Sequence, residues 1–190
     1  ADNGAQIINN SWGGPFTTAW GDAVVDYVHS KGVLIISAAG NDGSPTCGNF
    51  PANSENSMAV GAVEPSDVLT YYSNFGVKTD VVAPGGDGFG PPNDIVSVLA
   101  PASAEATSCS PTFPGGCGSY LSLAGTSMAS PHVAGLAALV MQLHPTWTAE
   151  EVKQVLRQSV TPLGLGAFNG FDSTYGFGRI DAANALVPTT

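Results

Sequence analysis

The sequence predicts an α/β fold in which helices cover a mostly parallel, twisted sheet. Strand-like apolar runs alternate with helical patterns along the 190 residues, and such alternation implies parallel pairing of the strands. The run Val33–Ser37 is almost entirely apolar, which is typical of a strand buried on both faces. No repeat and no long linker interrupts the chain, so we expect a single domain over residues 1–190 with a loop-rich insertion at 84–118.

Short apolar runs bounded by Gly, Pro or Asn predict the strands, at residues 6–12, 33–37, 57–63, 79–83 and 94–99. Residues 1–4 have the pattern of a helix end that runs directly into the first of these strands. A helix without a beginning suggests that the sheet lacks its N-terminal strands.

Apolar residues at helical spacing predict helices over 17–31 and 127–143. The first helix presents Trp20, Val24, Tyr27 and Val28 on one face. Thr148–Glu151 has the pattern of a capping box, which predicts that another helix begins there. Residues 181–186 predict a last short helix.

The charge balance excludes two classes of partner. The chain has 5 Lys and Arg against 15 Asp and Glu, a formal net charge of −10. So few cations cannot neutralise phosphates, and no nucleic-acid partner is expected. No apolar run approaches the roughly 18 residues of a membrane-spanning helix, so no membrane span is expected.

The three cysteines are too few for a disulfide scaffold. Cys109 and Cys117 bracket a short Gly- and Pro-rich loop, which makes them candidates for a local disulfide. Cys47 is then a buried thiol or a partner for a cysteine elsewhere. A zinc site is the alternative, but the chain has no CxxC pair. Acidity, low charge content and the candidate disulfide favour a secreted or extracellular protein.

Gly125–His132 carries the strongest chemical signal, at the junction of a predicted strand and an Ala-rich helix. Ser127 would lie there at the positive end of the helix dipole, beside backbone N–H groups that lack acceptors. Both features suit a nucleophile whose attack creates an oxyanion. The alternative for a serine at a helix start is a simple N-cap.

Three segments resemble those of the subtilisin-like serine proteases, peptidase family S8. Gly125–Gly135 resembles the nucleophile segment almost letter for letter, Ala38–Asp42 the oxyanion-hole segment, and Ile8–Gly14 the strand and turn that bind the substrate backbone. They occur in the family's chain order. The resemblance implies a subtilisin-like three-layer sandwich, lacking its N-terminal strands, and a serine endopeptidase that acts on extended peptides.

Carried over by position, the resemblance implies that Ser127 is the nucleophile that forms an acyl-enzyme. Asn41 would donate its side-chain amide to the oxyanion, together with the backbone N–H of Ser127. Asn41 would also suit an ordinary turn, since Gly-Asn-Asp is common turn chemistry.

The resemblance also implies a substrate-binding role for five residues. They would pair with the substrate as an added strand or line the pocket for the residue before the cut: Ser11, Trp12, Gly13, Ala39 and Gly40. Trp12 by itself would more often be a core residue. Residues near Gly48 and Asn49 would partly set the depth of the pocket.

A serine needs a base near neutral pH, normally a histidine oriented by an aspartate. His132 lies about 140° around the helix from Ser127 and about 7.5 Å along it, so it faces away and is expected to pack in the core. His144 would lie some 25 Å along that helix, and His29 ends an earlier helix in solvent. The family's aspartate and histidine motifs are not present, so we expect the missing N-terminal portion of the same catalytic domain to supply them.

Subtilisin-like enzymes often bind structural calcium, and no cofactor is required for the chemistry. One family site would use carbonyls near Phe50–Asn53 and acids before the strand that contains Asp80. Lys78 stands where the family often has an acid, which opposes a second cation. Calcium is therefore only a family-level expectation, with no metal ligand assigned.

Two function hypotheses follow from different classes. The first is a serine endopeptidase whose isolated chain is inactive because it lacks the base. The alternative is a catalytically inert fragment or pseudoprotease that binds extended peptides by strand addition. An esterase of the α/β-hydrolase type is excluded, because the segment Gly125–Ala129 lacks the Gly-x-Ser-x-Gly elbow.

Overall fold

The computed structural model describes residues 1–16, 18–99, 120–164 and 170–187. Its centre is a four-stranded sheet in the order β1-β2-β3-β4, with every neighbouring pair parallel. The strands are β1 Ile7–Asn10, β2 Leu34–Ala38, β3 Met58–Val63 and β4 Val81–Pro84. The predicted α/β class and parallel pairing are confirmed.

Helices lie on both faces of this sheet, which gives three layers. Ile36, Met58 and Val60 point to the face covered by α2, where Val133 and Val140 are fully buried. On the opposite face, Val25 of α1 packs near Ile35 of β2. Within the described residues the α-helices are α1 Ala19–Ser30, α2 Thr126–Leu143, α3 Ala149–Gln158 and α4 Ala182–Ala185.

Side-chain hydrogen bonds cap the N-termini of three of these helices, close to the starts that the sequence predicts. Thr18 Oγ1 accepts from Gly21 N at 3.0 Å before α1, and Asp181 caps α4. The predicted capping box at α3 is present, with Thr148 and Glu151 each bonded to the other's backbone N–H. The caps satisfy amides that have no partner inside the helix.

The apolar face predicted for α1 exists, but it is exposed. Trp20 is 78% exposed, and Val24 and Tyr27 are also exposed, whereas Gly21 and Val25 are buried. The helix packs on β2, next to the edge strand β1. Of these residues only Gly21 and Val25 face inward, and Phe50 lies against Gly21.

The strand predicted over 94–99 forms, but it does not join the parallel sheet. It is β5, Ile95–Val98, and it pairs antiparallel with β6, Tyr120–Leu123. Most of its side chains are exposed, which suits a small two-stranded ribbon rather than a sheet interior. Cys109 and Cys117 lie outside the described residues.

Two smaller expectations differ from the structure. Residues 1–4 form a turn closed by Gly4 N donating to Ala1 O at 3.0 Å, not a helix end. Cys47 is exposed and free among the described residues, so the buried-thiol alternative is wrong. Within the described part of the chain, no helix combines the length and hydropathy that a membrane crossing requires.

Candidate active site

The carboxyl ends of β1 and β2 meet the N-terminus of α2 at the end of the sheet where the parallel strands terminate. Parallel strands end on the same side, so the residues that follow them come together there. Ser11 follows β1, and its Oγ donates to the carbonyl oxygen of Ser127 at 2.8 Å. Ser11 Oγ also lies 3.1 Å from Ser130 Oγ. These bonds fix the start of α2 against the end of β1.

Asn41 follows β2 and is held by Thr126. Its Oδ1 accepts from both the backbone N and the Oγ1 of Thr126, each at 2.9 Å. Thr126 is fully buried and also accepts from Gly40 N at 3.2 Å. Since Oδ1 is occupied by two donors, the side-chain amide directs its Nδ2 away from them. Sequence reasoning missed Thr126, because only a contact across 85 positions reveals it.

Two nitrogen donors converge beside Gly125. A Cβ built on Gly125 would lie 3.6 Å from Asn41 Nδ2 and 3.7 Å from both Asn41 Oδ1 and Ser127 N, and that Oδ1 is already bonded to Thr126. The amide of Ser127 lies in the first turn of α2, where no intrahelical acceptor exists. Gly125 has φ +153° and occupies the N-cap position, so Ser127 itself is not a cap. The absent side chain leaves room for an anionic oxygen between the two donors.

The hydroxyl of Ser127 is bonded to backbone and not to a base. Its Oγ donates to the carbonyl oxygen of Ser11 at 3.1 Å. All three histidines are described, and none is hydrogen-bonded to this oxygen. His29 ends α1, and His144 follows α2 and stacks on Trp147 at 3.6 Å.

His132 faces away from Ser127, but the expectation that it packs in the core is wrong. Its ring is exposed, and Nδ1 lies 2.8 Å from the carbonyl oxygen of Met128, one turn earlier in the same helix. The buried stripe of α2 runs instead through Ala129, Val133 and Ala137. His132 lies outside that stripe.

Asn74 braces the loop that carries Asn41, a contact that sequence reasoning also missed. Asn74 is 1% exposed. Its Nδ2 donates to Ala39 O at 2.9 Å, and its Oδ1 accepts from Asp42 N at 3.0 Å and Ser44 N at 3.1 Å. The residues on both sides of Gly40 and Asn41 are therefore tied to one buried amide.

A cleft of about 560 Å³ opens in front of Ser127. The residues predicted from sequence that line it are Trp12, Gly13, Gly40, Asn41 and Ser127, together with Gly48 and Asn49, which were expected to set its depth. Trp12 is 57% exposed, so it is not a core residue. Ala39 is fully buried, and its carbonyl oxygen accepts bonds from Asn49 and Asn74.

A second cavity of about 320 Å³ lies on the other side of Asn41. Tyr71, Tyr72, Asp94 and Leu123 contribute to its lining. Tyr72 donates to the carbonyl oxygen of Gly85 at 2.8 Å, and burial raises the pKa of its phenol. No sequence motif pointed to this cavity, because its walls come from four separate segments.

The position expected for calcium does not fit a cation. Asp80 Oδ1 accepts from the Arg157 guanidinium, and Oδ2 accepts from Ala59 N at 2.6 Å. Lys78 forms an ion pair with Glu55, and the ammonium of Lys153 is buried nearby. The carboxylate oxygens that would bind calcium are thus already engaged by donors, and Glu55, the other acid there, is paired with Lys78. No cluster of metal-binding side chains occurs elsewhere in the described ranges.

Residues 1–178 match the model of the subtilase family, Peptidase S8. The chain belongs to the subtilase family. It is 36% identical over 184 residues to M-protease of Shouchella clausii, covering 97% of this chain and 40% of that protein. It is 35% identical to subtilisin Savinase of Lederbergia lenta, covering 97% of this chain and 57% of that protein.

Solved structures of proteases have the same fold. One from Pseudoalteromonas arctica matches with a TM-score of 0.78 and 29% identity, over 98% of this chain and 52% of that chain. A lanthipeptide protease matches with a TM-score of 0.80 and 26% identity, over 97% of this chain and 62% of that chain. The chain therefore spans between two-fifths and about three-fifths of the length of these relatives.

Proposed function

We propose that this chain is the part of a subtilisin-like serine endopeptidase that carries the nucleophile and the oxyanion hole. The observation that carries the proposal is the convergence of Asn41 Nδ2 and Ser127 N on one point beside Gly125. A protein that only binds peptides has no need for two neighbouring N–H donors next to a serine hydroxyl. The membership of the chain in a family of proteases supports the same function.

The reaction is an acyl transfer. Ser127 Oγ attacks the peptide carbonyl, and its proton passes to a base. The tetrahedral oxyanion accepts hydrogen bonds from Asn41 Nδ2 and Ser127 N. The intermediate collapses, the amine leaves with the proton, and a water molecule then hydrolyses the acyl-enzyme at Ser127.

The base and its orienting aspartate come from another segment of the same catalytic domain. Support for this lies in the three histidines of the chain, none of which is hydrogen-bonded to Ser127 Oγ. The hydroxyl donates instead to Ser11 O, a neutral carbonyl that cannot remove its proton. The isolated chain is therefore expected to be inactive.

The two cavities meet at Asn41, which binds the carbonyl of the bond that is cut. The cleft beside Gly13 and Gly40 would take the peptide before the cut, with the segment 11–13 pairing to the substrate backbone. The cavity beside Tyr71 would take the peptide after it. The substrate is an extended peptide or protein segment, and the acidic, low-charge composition supports action outside the cell.

A fluorophosphonate probe tests the function, because an activated serine displaces its fluoride and becomes phosphonylated, whereas an ordinary serine does not react. We expect negligible labelling of the isolated chain and strong labelling at Ser127 when a preceding segment with the aspartate and histidine is included. Ser127→Ala abolishes that labelling, whereas the matched control Ser30→Ala leaves it unchanged. Rapid labelling of the isolated chain at Ser127 contradicts a missing base. A completed domain that binds peptides but is never labelled supports the inert, peptide-binding alternative.

A further inference from the structure

We infer that basic side chains of this chain take the place of a structural calcium ion where α3 meets β3 and β4. Among the described residues, three cations lie there on two segments: Lys78 before β4, and Lys153 and Arg157 on α3. The family resemblance implies a calcium ion at this position, but its oxygens are bonded to protein cations instead. This property belongs to the folded chain and does not depend on the proposed function.

Asp80 has the carboxylate that a metal ion would need, and both of its oxygens are engaged. Oδ1 accepts from Arg157 Nε at 2.8 Å and from a second nitrogen of the same guanidinium, whereas Oδ2 accepts from Ala59 N at 2.6 Å. Through this one carboxylate, α3 is joined to the residue before β4 and to β3. A bound metal ion would connect elements in the same way, so the guanidinium performs that role here.

The two lysines hold the segment that precedes β3. Lys78 forms an ion pair with the carboxylate of Glu55, and Lys153 Nζ donates to Glu55 O at 3.4 Å. The carboxylate and the carbonyl oxygen of one residue thus contact two ammonium groups from different elements. Oxygens of both kinds are calcium ligands in other proteins, and here each of them bonds a lysine.

Backbone carbonyls in the segment Phe50–Asn53 are also engaged. Phe50 O accepts from Gly14 N at 2.9 Å, and Pro51 O accepts from Ser54 N at 3.1 Å. The resemblance places carbonyl ligands in this segment, but these two oxygens bond amides of the chain. Since calcium takes about six to eight oxygen ligands, a site that has lost both its carboxylates and these carbonyls to other donors does not suit it.

The balance of charge opposes a further cation. Lys153 is buried, and the side chains whose charges act on its ammonium are Asp80, Arg157, Glu150 and Glu55. Together with the lysine paired to Glu55, these groups comprise three positive and three negative charges. A divalent ion would add uncompensated positive charge beside a buried ammonium, which is costly where the effective dielectric constant is low.

Thermal unfolding with and without calcium tests the inference on the whole chain. The probe is calcium chloride at about 10 mM, compared with an excess of EDTA at matched ionic strength. We expect the wild-type midpoint to differ by less than about 1 °C between the two solutions, because the oxygens of the cluster already have protein donors.

The double variant Lys78→Glu with Arg157→Met should gain a calcium response. It frees Asp80 Oδ1 and the Glu55 carboxylate and adds a third carboxylate next to them. We expect calcium to raise its midpoint by about 5 °C or more, and magnesium to raise it less, because magnesium demands a tighter octahedral geometry. The matched control Lys31→Glu with Arg179→Met makes the same change of charge at two other ion pairs and should show no such rise.

Two results overturn the inference. In the first, calcium raises the wild-type midpoint and Asp80→Asn removes the rise, because calcium then binds at Asp80 despite the cations. In the second, the double variant folds and ignores calcium, because the removed cations then did not occupy a metal position. A wild-type rise that Asp80→Asn leaves intact supports the inference, since calcium then acts away from the cluster. If the double variant does not fold in either solution, the comparison of the wild type with Asp80→Asn decides.

Discussion

At the scale of single residues, the geometry of the site depends on asparagine side chains that hydrogen-bond to the backbone of neighbouring loops. Asn41 Oδ1 accepts two hydrogen bonds from Thr126, which leaves Nδ2 as the donor for the proposed oxyanion. Asn74 ties Ala39 to Asp42 and Ser44. Such buried networks are rigid when every member is satisfied and costly when one member is removed. The Asn41 amide proposed as an oxyanion donor is thus held in place by the folded chain itself.

Replacing Asn41 by alanine should remove one oxyanion donor. In the completed catalytic domain we expect kcat to fall by about 10²- to 10³-fold with KM nearly unchanged, which is the effect that removing this donor has in subtilisin itself. Steady-state kinetics on a peptide substrate measure it. Asn93→Ala, in the loop beside Asp87, is the control. A higher KM with an unchanged kcat would mean that Asn41 contributes to binding of the ground-state substrate instead.

Replacing Asn74 by alanine should destabilise the protein rather than alter the chemistry directly. The change leaves Asp42 N and Ser44 N without their partner and removes one of the two bonds to Ala39 O, so we expect a loss of about 3 kcal/mol in the free energy of unfolding. Urea denaturation measures the loss. Asn56→Ala, at a half-buried position bonded to Asp26, should cost less than about 1 kcal/mol. Equal losses for the two variants would contradict the bracing role of Asn74.

At the scale of elements, the sheet and helices are joined by an ion pair as well as by the core. Arg157 of α3 binds Asp80, which precedes β4 and also accepts from Ala59 of β3. One side chain therefore connects a helix to two neighbouring strands. The pair stands where the family resemblance placed acidic calcium ligands.

Replacing Arg157 by methionine should leave the Asp80 carboxylate buried without its cation. We expect a loss of about 2–3 kcal/mol in stability at neutral pH, somewhat below the range for a fully buried pair because the arginine is partly exposed. Chemical denaturation checks the value. Arg179→Met is the matched control, since its ion pair with Asp67 is more exposed and should contribute about 1 kcal/mol or less. If both variants lose the same amount, burial of Asp80 is not the cause.

At the scale of the whole molecule, the chain is acidic and has only 5 Lys and Arg residues, one of which is buried. Lys153 is 4% exposed, and its ammonium has one long bond, to Glu55 O at 3.4 Å. Burial lowers the pKa of this ammonium below its ordinary value of 10.5. Between the lowered pKa and 10.5 the unfolded chain binds more protons than the folded chain. The contribution of Lys153 to stability therefore increases as the pH rises through that window.

Replacing Lys153 by methionine should remove this pH dependence. At pH 7 the variant is expected to be more stable than the wild type, on the order of 1 kcal/mol, because no charge is buried. The advantage should shrink as the pH rises towards 10.5. Urea midpoints measured from pH 7 to pH 10 test this, with the exposed Lys31→Met as a control that shows no such gain. An advantage that grows with pH would have the wrong sign for a buried ammonium.

Much of this molecule can be predicted from its sequence because the relevant signals are local. Strand and helix types follow from apolar periodicity over a few residues, and the capping box at Thr148 and Glu151 needs only three positions. The segment around Ser127 and the segment around Asn41 can be identified one at a time. Strand-helix alternation predicted the parallel pairing of β1 to β4 before any contact was known.

What only the tertiary structure decided concerns residues that are far apart in the chain. The pattern of α1 could not indicate that Trp20 lies exposed beside an edge strand, since periodicity defines a face but not what covers it. The strand at 94–99 has ordinary strand composition, and only its partner β6 shows that it pairs antiparallel. The contacts of Asn41 with Thr126 and of Asn49 with Gly13 join segments without any shared periodicity. The sequence thus determined which groups are available, whereas the packing of loops at the ends of the strands decided which of them meet.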